Sequence, residues 1–234
     1  SKLAFSASLL LLTMAWATAA PAAKERKANC GELIKAARDM LQTQNFEPAL
    51  EAVSRCTKAE PANVNALVLE GNLLYLLARD DQAISTLKRA LAVDPKRHDA
   101  RYAIGRIHYA NARYDDSAAE FEAIIALDPA HYRAWDNLGL AREGQGRIDD
   151  AIAAHKKSIE LTVEQKVPYD WAYANLAELL MKQDENRRAF DLAVQAAELN
   201  VNSARNFYLA AKALTRLDQW RKCERWLKRS AELD

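Results

Sequence analysis

Glycine and proline are scarce in this chain, 6 of each among 234 residues, which argues against a loop-rich all-β fold whose many tight turns need both. Histidine (4) and cysteine (3) are also few, and they lack the paired spacing of a zinc site or the His-Glu-x-x-His arrangement of a metalloprotease. There is no glycine-rich phosphate loop and no Gly-x-Ser-x-Gly elbow, and no carboxylate pair is singled out by its spacing. The chain is therefore expected to be no enzyme and to bind no metal or cofactor. A charge excess is missing as well. The 33 basic and 32 acidic residues leave a formal charge of +1, so no broad positive field exists to gather nucleic acid, which is not an expected partner.

Long apolar runs are nearly absent after the first residues. Leu3 to Ala20 carries no charge, holds Leu9 to Leu12 behind Lys2, and reaches Ala17, Thr18 and Ala19 as a small-x-small cleavage site. That is the three-part pattern of a secretory signal peptide, expected over 1–19 and followed by a charged leader over 20–29. A periplasmic or secreted location follows, with no stable membrane span after cleavage. The alternative is an uncleaved anchor, for which the run is short. Lipidation at Cys30 is disfavoured, since Lys27, Ala28 and Asn29 precede it where small apolar residues are required.

What the chain does have is a period. Half of its residues are apolar, it reads as helix almost throughout, and Pro61, Pro95 and Pro129 stand 34 residues apart. A repeat of that length marks a stack of supersecondary units, each burying its apolar face on the next. Numbering every copy from position 1 gives units at 30–63, 64–97, 98–131, 132–165, 170–203 and 204–234, with Lys166 to Tyr169 inserted before the fifth. Position 8 is then Ala37, Gly71, Gly105, Gly139, Ala177 and Ala211, and position 20 is Ala49, Ala83, Ser117, Ala151, Ala189 and Cys223. All are small, as close crossing of two antiparallel helices requires. Larger apolar residues at helical spacing, such as Leu138, Ile152 and Ile159, fill the space around them. The prolines remove a backbone donor and close each second helix. Pro168 in the insertion is expected to bend or loosen the stack.

In this register Cys30 and Cys56 fall at the same end of the first helix pair, where an exported chain can join them in a disulfide. The other reading leaves them a helical turn out of line, with Cys56 merely filling a small position. Cys223 is expected to be a packing residue, and His155 sits at an inward position of its helix.

The fourth copy carries Trp135, Leu138, Gly139, Gly146, Ala151 and Ile159, and on those residues the chain resembles the tetratricopeptide repeat (TPR) family from Cys30 to Asp234. The resemblance implies an all-α, right-handed superhelical solenoid of about six helix pairs with a concave groove. There are departures: Glu70 replaces an apolar residue, Arg101 stands where Trp135 stands in the fourth copy, Arg142 replaces a usual tyrosine, and Val163 and Val201 replace proline. The family also implies that positions 2, 5, 9, 12 and 13 of each first helix face the groove. Asn65, Asn72, Tyr75, Tyr102, Arg106, Tyr109 and Arg133 occupy them in the second to fourth copies. Tyrosine and arginine combine rigid apolar area with polar ends and suit desolvated contacts. The expected partner is a protein or peptide segment, extended or helical, with an acidic group near Arg106 and Arg133. The clamp by which some TPR proteins hold chaperone tails does not fit, because Val68 stands where its lysine would be.

The fifth and sixth copies place Trp171, Glu178, Lys182, Arg205, Tyr208, Lys212 and Arg216 on the same face, a weaker second candidate. The final helix, from Trp220 to Arg229, is basic and amphipathic, which suits an anionic membrane or acidic partner. The competing expectation packs Trp220 into the last pair and leaves the charges as solvated ends. The last copy is followed by no polar capping helix, so its outer side is a candidate surface for a homodimer. A protein-binding scaffold is the functional expectation; a self-associating envelope assembly factor, or a non-catalytic subunit of an enzyme complex, is the alternative.

Overall fold

The computed structural model describes residues 29–234. The expected signal peptide and residues 20–28 of the leader lie outside the described residues. Twelve helices follow one another with no strand among the described residues. They are α1 (Cys30–Gln42), α2 (Phe46–Ala59), α3 (Val64–Leu76), α4 (Asp80–Val93), α5 (His98–Ala110) and α6 (Tyr114–Leu127), then α7 (Tyr132–Gly144), α8 (Ile148–Glu164), α9 (Trp171–Lys182), α10 (Asn186–Leu199), α11 (Ala204–Arg216) and α12 (Trp220–Leu233). Each helix packs on the next, and first helices of successive pairs also touch, so the whole is an all-α solenoid.

Two backbone devices repeat along it. Every first helix ends with position 15 in the left-handed region: Gln44, Ala78, Ala112, Gly146, Asp184 and Asp218 all have positive φ. At Ala78 the two closing bonds are Arg79 N–H to the Leu74 carbonyl (2.8 Å) and Ala78 N–H to the Tyr75 carbonyl (2.9 Å), the paired closure that satisfies the last free carbonyls of a helix. The same pair closes all six first helices. Among second helices α8 closes in the same way at Lys166 (φ 54°), whereas α4, α6 and α10 end differently. Asp94, Asp128 and Asn200 turn the chain by accepting, through Oδ1, the N–H of the residue two further on.

Position 20 is buried in every copy, as is position 8. The glycines at position 8 admit the side chain at position 24: a Cβ on Gly71 would lie 2.5 Å from Leu87, on Gly105 2.9 Å from Phe121, and on Gly139 2.6 Å from His155. Position 24 is the plug of the first five pairs. Val53, Leu87, Phe121, His155 and Ala193 are all fully buried there.

The departures from the repeat pattern are accommodated individually. Ser54 Oγ donates to Glu70 at 2.6 Å. Arg101 reaches the Pro95 carbonyl (3.3 Å) as Trp135 Nε1 reaches that of Pro129 (2.9 Å), so the guanidinium takes over the indole's hydrogen bond while also pairing with Glu120. Arg142 pairs with Glu122. Where Val163 replaces proline, α8 simply runs on to Glu164, while α10 still ends at Leu199 because Asn200 makes the turn.

Two expectations are corrected. The insertion does not loosen the stack: α9 packs on both α8 and α7, and Tyr169 is anchored to Asp136. Trp220 does not pack into the last pair but is 61% exposed. The aromatic that packs there is Trp226, against Phe190 (6.0 Å) and Phe207 (5.7 Å), because it shares the inward face of α12 with Cys223.

Cys30 and Cys56 form a disulfide, with Cα atoms 4.9 Å apart, tying the start of α1 to the end of α2. Cys223 is free and buried.

Candidate functional site

The first helices α3, α5, α7 and α9 line a continuous concavity. Successive helices are offset by one repeat, so residues at equal register positions form a ladder across them. One cavity of about 550 Å³ is bounded by Asn72, Tyr75, Tyr102, Arg106, Arg133 and the ring pair His98 and His131. A second, of about 610 Å³, shares Tyr75, Tyr102, Arg106 and Arg133 and extends past Tyr109 to Tyr169, Trp171 and Asn175. The shared residues make these two compartments of one groove. Six of the seven residues expected at the groove therefore come together. Asn65 does not: its Oδ1 accepts from Arg97 at 2.6 Å, and it borders neither cavity.

The groove's polar groups differ in how far they are committed. Tyr102 is fixed by the Asn137 amide, which donates to its hydroxyl at 2.9 Å, and by edge packing on Phe121. Burial raises its pKa, with Arg106 opposing, so the phenol stays protonated. Tyr109 is raised likewise by burial and then by Glu143. Burial lowers His131, and its Nδ1 accepts the Ala134 N–H at 3.1 Å, capping α7. Arg106 and Arg133 are exposed and form no ion pair among the described residues. Arg133 lies 5.6 Å from the Tyr132 ring. Further along, Lys182 binds Glu143, Arg205 binds Glu178 while lying 5.3 Å over Trp171, and Lys212 meets only the Tyr208 ring at 5.9 Å. Of the cations that border the two compartments, Arg106 and Arg133 are the ones without a carboxylate partner among the described residues.

Beneath the second compartment lies a polar cluster that sequence reasoning missed. Asp136, 2% exposed, accepts from the Tyr169 hydroxyl (2.8 Å) and from the Asn175 amide (3.1 and 3.2 Å), and its Oδ1 faces His155 Nδ1 at 2.8 Å. Asn175 in turn accepts from Arg205 at 2.9 Å. The Tyr169 ring meets Tyr132 edge-on at 5.0 Å. The four-residue insertion therefore forms the groove wall at its middle. A signal for this was present: position 5 holds Asp136 where other copies have Ile34, Val68, Tyr102, Ala174 and Tyr208, and position 24 holds His155 where others are apolar. Two polar replacements in one copy point at each other.

In sequence, the profile described as tetratricopeptide repeat matches residues 34–98, 79–130 and 102–162. No curated protein matches the chain. Among solved structures it is similar to PilW, described as a widely conserved type IV pilus biogenesis factor, at 21% identity and a TM-score of 0.73, over 84% of this chain and 90% of that one. It is also similar to PilF of Pseudomonas aeruginosa (19% identity, TM-score 0.72, 84% and 88% covered). MamA of Desulfovibrio magneticus RS-1 is a third (22%, TM-score 0.63, 73% and 94% covered). At these identities the likeness concerns the fold.

Proposed function

Because the chain belongs to the tetratricopeptide repeat family, we propose that it is a non-enzymatic scaffold that holds a partner segment in the groove of α3, α5, α7 and α9, with an acidic group of that segment between Arg106 and Arg133. The observation that carries this reading is the pair of guanidiniums without carboxylate partners, set among Tyr75, Tyr102 and Tyr109 in a concavity of two joined compartments. Charge-assisted bonds to a carboxylate are strong where neighbouring aromatic surface excludes water. An exported, periplasmic or secreted setting agrees with the amino-terminal sequence and the Cys30–Cys56 bridge. No helix of the described residues is long and apolar enough to cross a membrane. The likeness to PilW, described as a type IV pilus biogenesis factor, supports a role in the assembly of an envelope structure.

The test places a photo-crosslinking residue at Tyr75 or Tyr109, with Lys88 on a second helix as control, in the native compartment. A discrete adduct from the groove positions, absent at Lys88 and lost on Arg106→Glu with Arg133→Glu, is expected. Adducts that survive both charge reversals, or that form equally at Lys88, would remove the groove assignment.

A further inference from the structure

The first compartment of the groove has a chemistry that its guanidinium pair does not account for. Its lining is mostly apolar. Leu76, the last residue of α3, borders it and is 49% exposed, at a register position that holds Gln42, Ala110, Gly144, Lys182 and Arg216 in the other copies. Ala103 borders it as well, where the second and sixth copies carry Leu69 and Leu209; a leucine there would extend into the space that a methyl group leaves open. The rings around this space are held from behind. Tyr102 packs edge-on to Phe121 at 5.6 Å while its hydroxyl accepts from Asn137, and His131, tied through Nδ1 to the Ala134 N–H, meets His98 edge-on at 5.9 Å. The walls are therefore set before a ligand arrives, which spares a binder the cost of ordering them. Arg106 and Arg133 border the same space, and neither has a carboxylate partner among the described residues.

On the premise that the groove holds a partner segment, we propose that this segment seats one large apolar side chain, aromatic or long aliphatic, between Leu76, Ala103 and the rings of Tyr75 and Tyr102. The acidic group held by Arg106 and Arg133 lies within about two residues of it, since the guanidiniums border the same space and an extended residue spans about 3.5 Å. The apolar side chain supplies affinity by leaving water, and the cations decide which neighbour it has, because a basic residue there would meet two guanidiniums. A purely acidic segment would leave the compartment to water, and an uncharged apolar one would leave the guanidiniums without counter-charge. Specificity lies in the combination.

The experiment reads the native partner through the full chain. A photo-crosslinking residue in place of Leu76 should trap a segment whose linked residue, located by mass spectrometry, is large and apolar with Asp or Glu within about two positions. A synthetic copy of that segment should bind the full chain, and exchanging its apolar residue for alanine should weaken binding by about ten- to a hundredfold, the worth of burying one such side chain. Ala103→Leu, which fills the compartment and leaves Arg106 and Arg133 in place, should weaken it by a similar factor. Leu76→Ser, which removes part of the apolar wall at an exposed position, should weaken it about fivefold, and circular dichroism of both variants confirms that the helices persist. An adduct at Tyr109 that Ala103→Leu leaves unchanged, on a segment without a large apolar residue, would overturn this inference while leaving the groove reading intact. An adduct at Leu76 with a second copy of this chain, or a lipid chain retained in the compartment, would overturn it too. Adducts at neither Leu76 nor Tyr109 would remove the groove reading along with it.

Discussion

Removing the carboxylate of Asp136 tests how the middle of the solenoid is held. Asp136→Ala leaves His155, which is fully buried, and Asn175, which is 5% exposed, without their shared acceptor. Tyr169 also loses its bond but can turn toward water. A buried polar group stripped of its partner costs about 1–3 kcal/mol, and Asp136→Ala strips two while also leaving the space of the deleted carboxylate unfilled. The expected loss is therefore about 3–5 kcal/mol, against about 1 kcal/mol for Tyr169→Phe, which deletes a single bond. Because each repeat touches only its neighbours, the damage should be local. Urea titration measures the total, and hydrogen exchange should quicken in α7 to α10 while α1 to α4 keep their protection. A total below about 1 kcal/mol, or a loss of protection spread evenly along the chain, would refute the view that Asp136 joins the fourth and fifth pairs.

Three further outcomes follow from the same geometry. The Cys30–Cys56 bridge closes a separation of 26 residues, so Cys30→Ser with Cys56→Ser should cost about 3.5 kcal/mol, concentrated in α1 and α2; the unreduced, denatured chain should titrate only the Cys223 thiol. Ala78 and Ala112 hold the left-handed conformation with φ of 56° and 55°, so Ala78→Gly and Ala112→Gly should each stabilise by about 0.5–1 kcal/mol, and Gly146→Ala, at φ 75°, should do the reverse by a similar amount in thermal melts. Burial lowers the pKa of His108 and His131 in the fold, so the unfolded chain takes up protons first as pH falls. Stability is full above the ordinary histidine value, declines from about pH 6.5 to the lower folded values, and then levels; urea midpoints between pH 7.5 and 5 should show this, and His131→Asn, which can keep the cap on α7, should flatten the slope.

Much of the fold was legible because it is periodic. The spacing of Pro61, Pro95 and Pro129 and the small residues at positions 8 and 20 report contacts between helices adjacent in sequence, and local contacts leave a regular trace. What position 8 makes room for was not legible, since Leu87, Phe121 and His155 look like ordinary helix residues until the close approach of Gly71, Gly105 and Gly139 is seen. For the groove, the positions implied by the family resemblance include Asn72, Tyr75, Tyr102, Arg106, Tyr109 and Arg133, which border one concavity. The resemblance could not tell that Asn65 is consumed by Arg97, because a hydrogen bond depends on rotamers and not on register.

The amino-acid sequence by itself determined the helix pairs and the face of each that turns inward, because every unit meets only its neighbours and the pattern repeats their geometry. Only the tertiary structure decided that Tyr169 is drawn onto Asp136, that Arg106 and Arg133 are left without counter-charges, and that Trp226 packs while Trp220 faces solvent. The bonds of Tyr169 and Asn175 to Asp136, for example, join residues 33 and 39 apart, where one turn of helix orientation changes the partner.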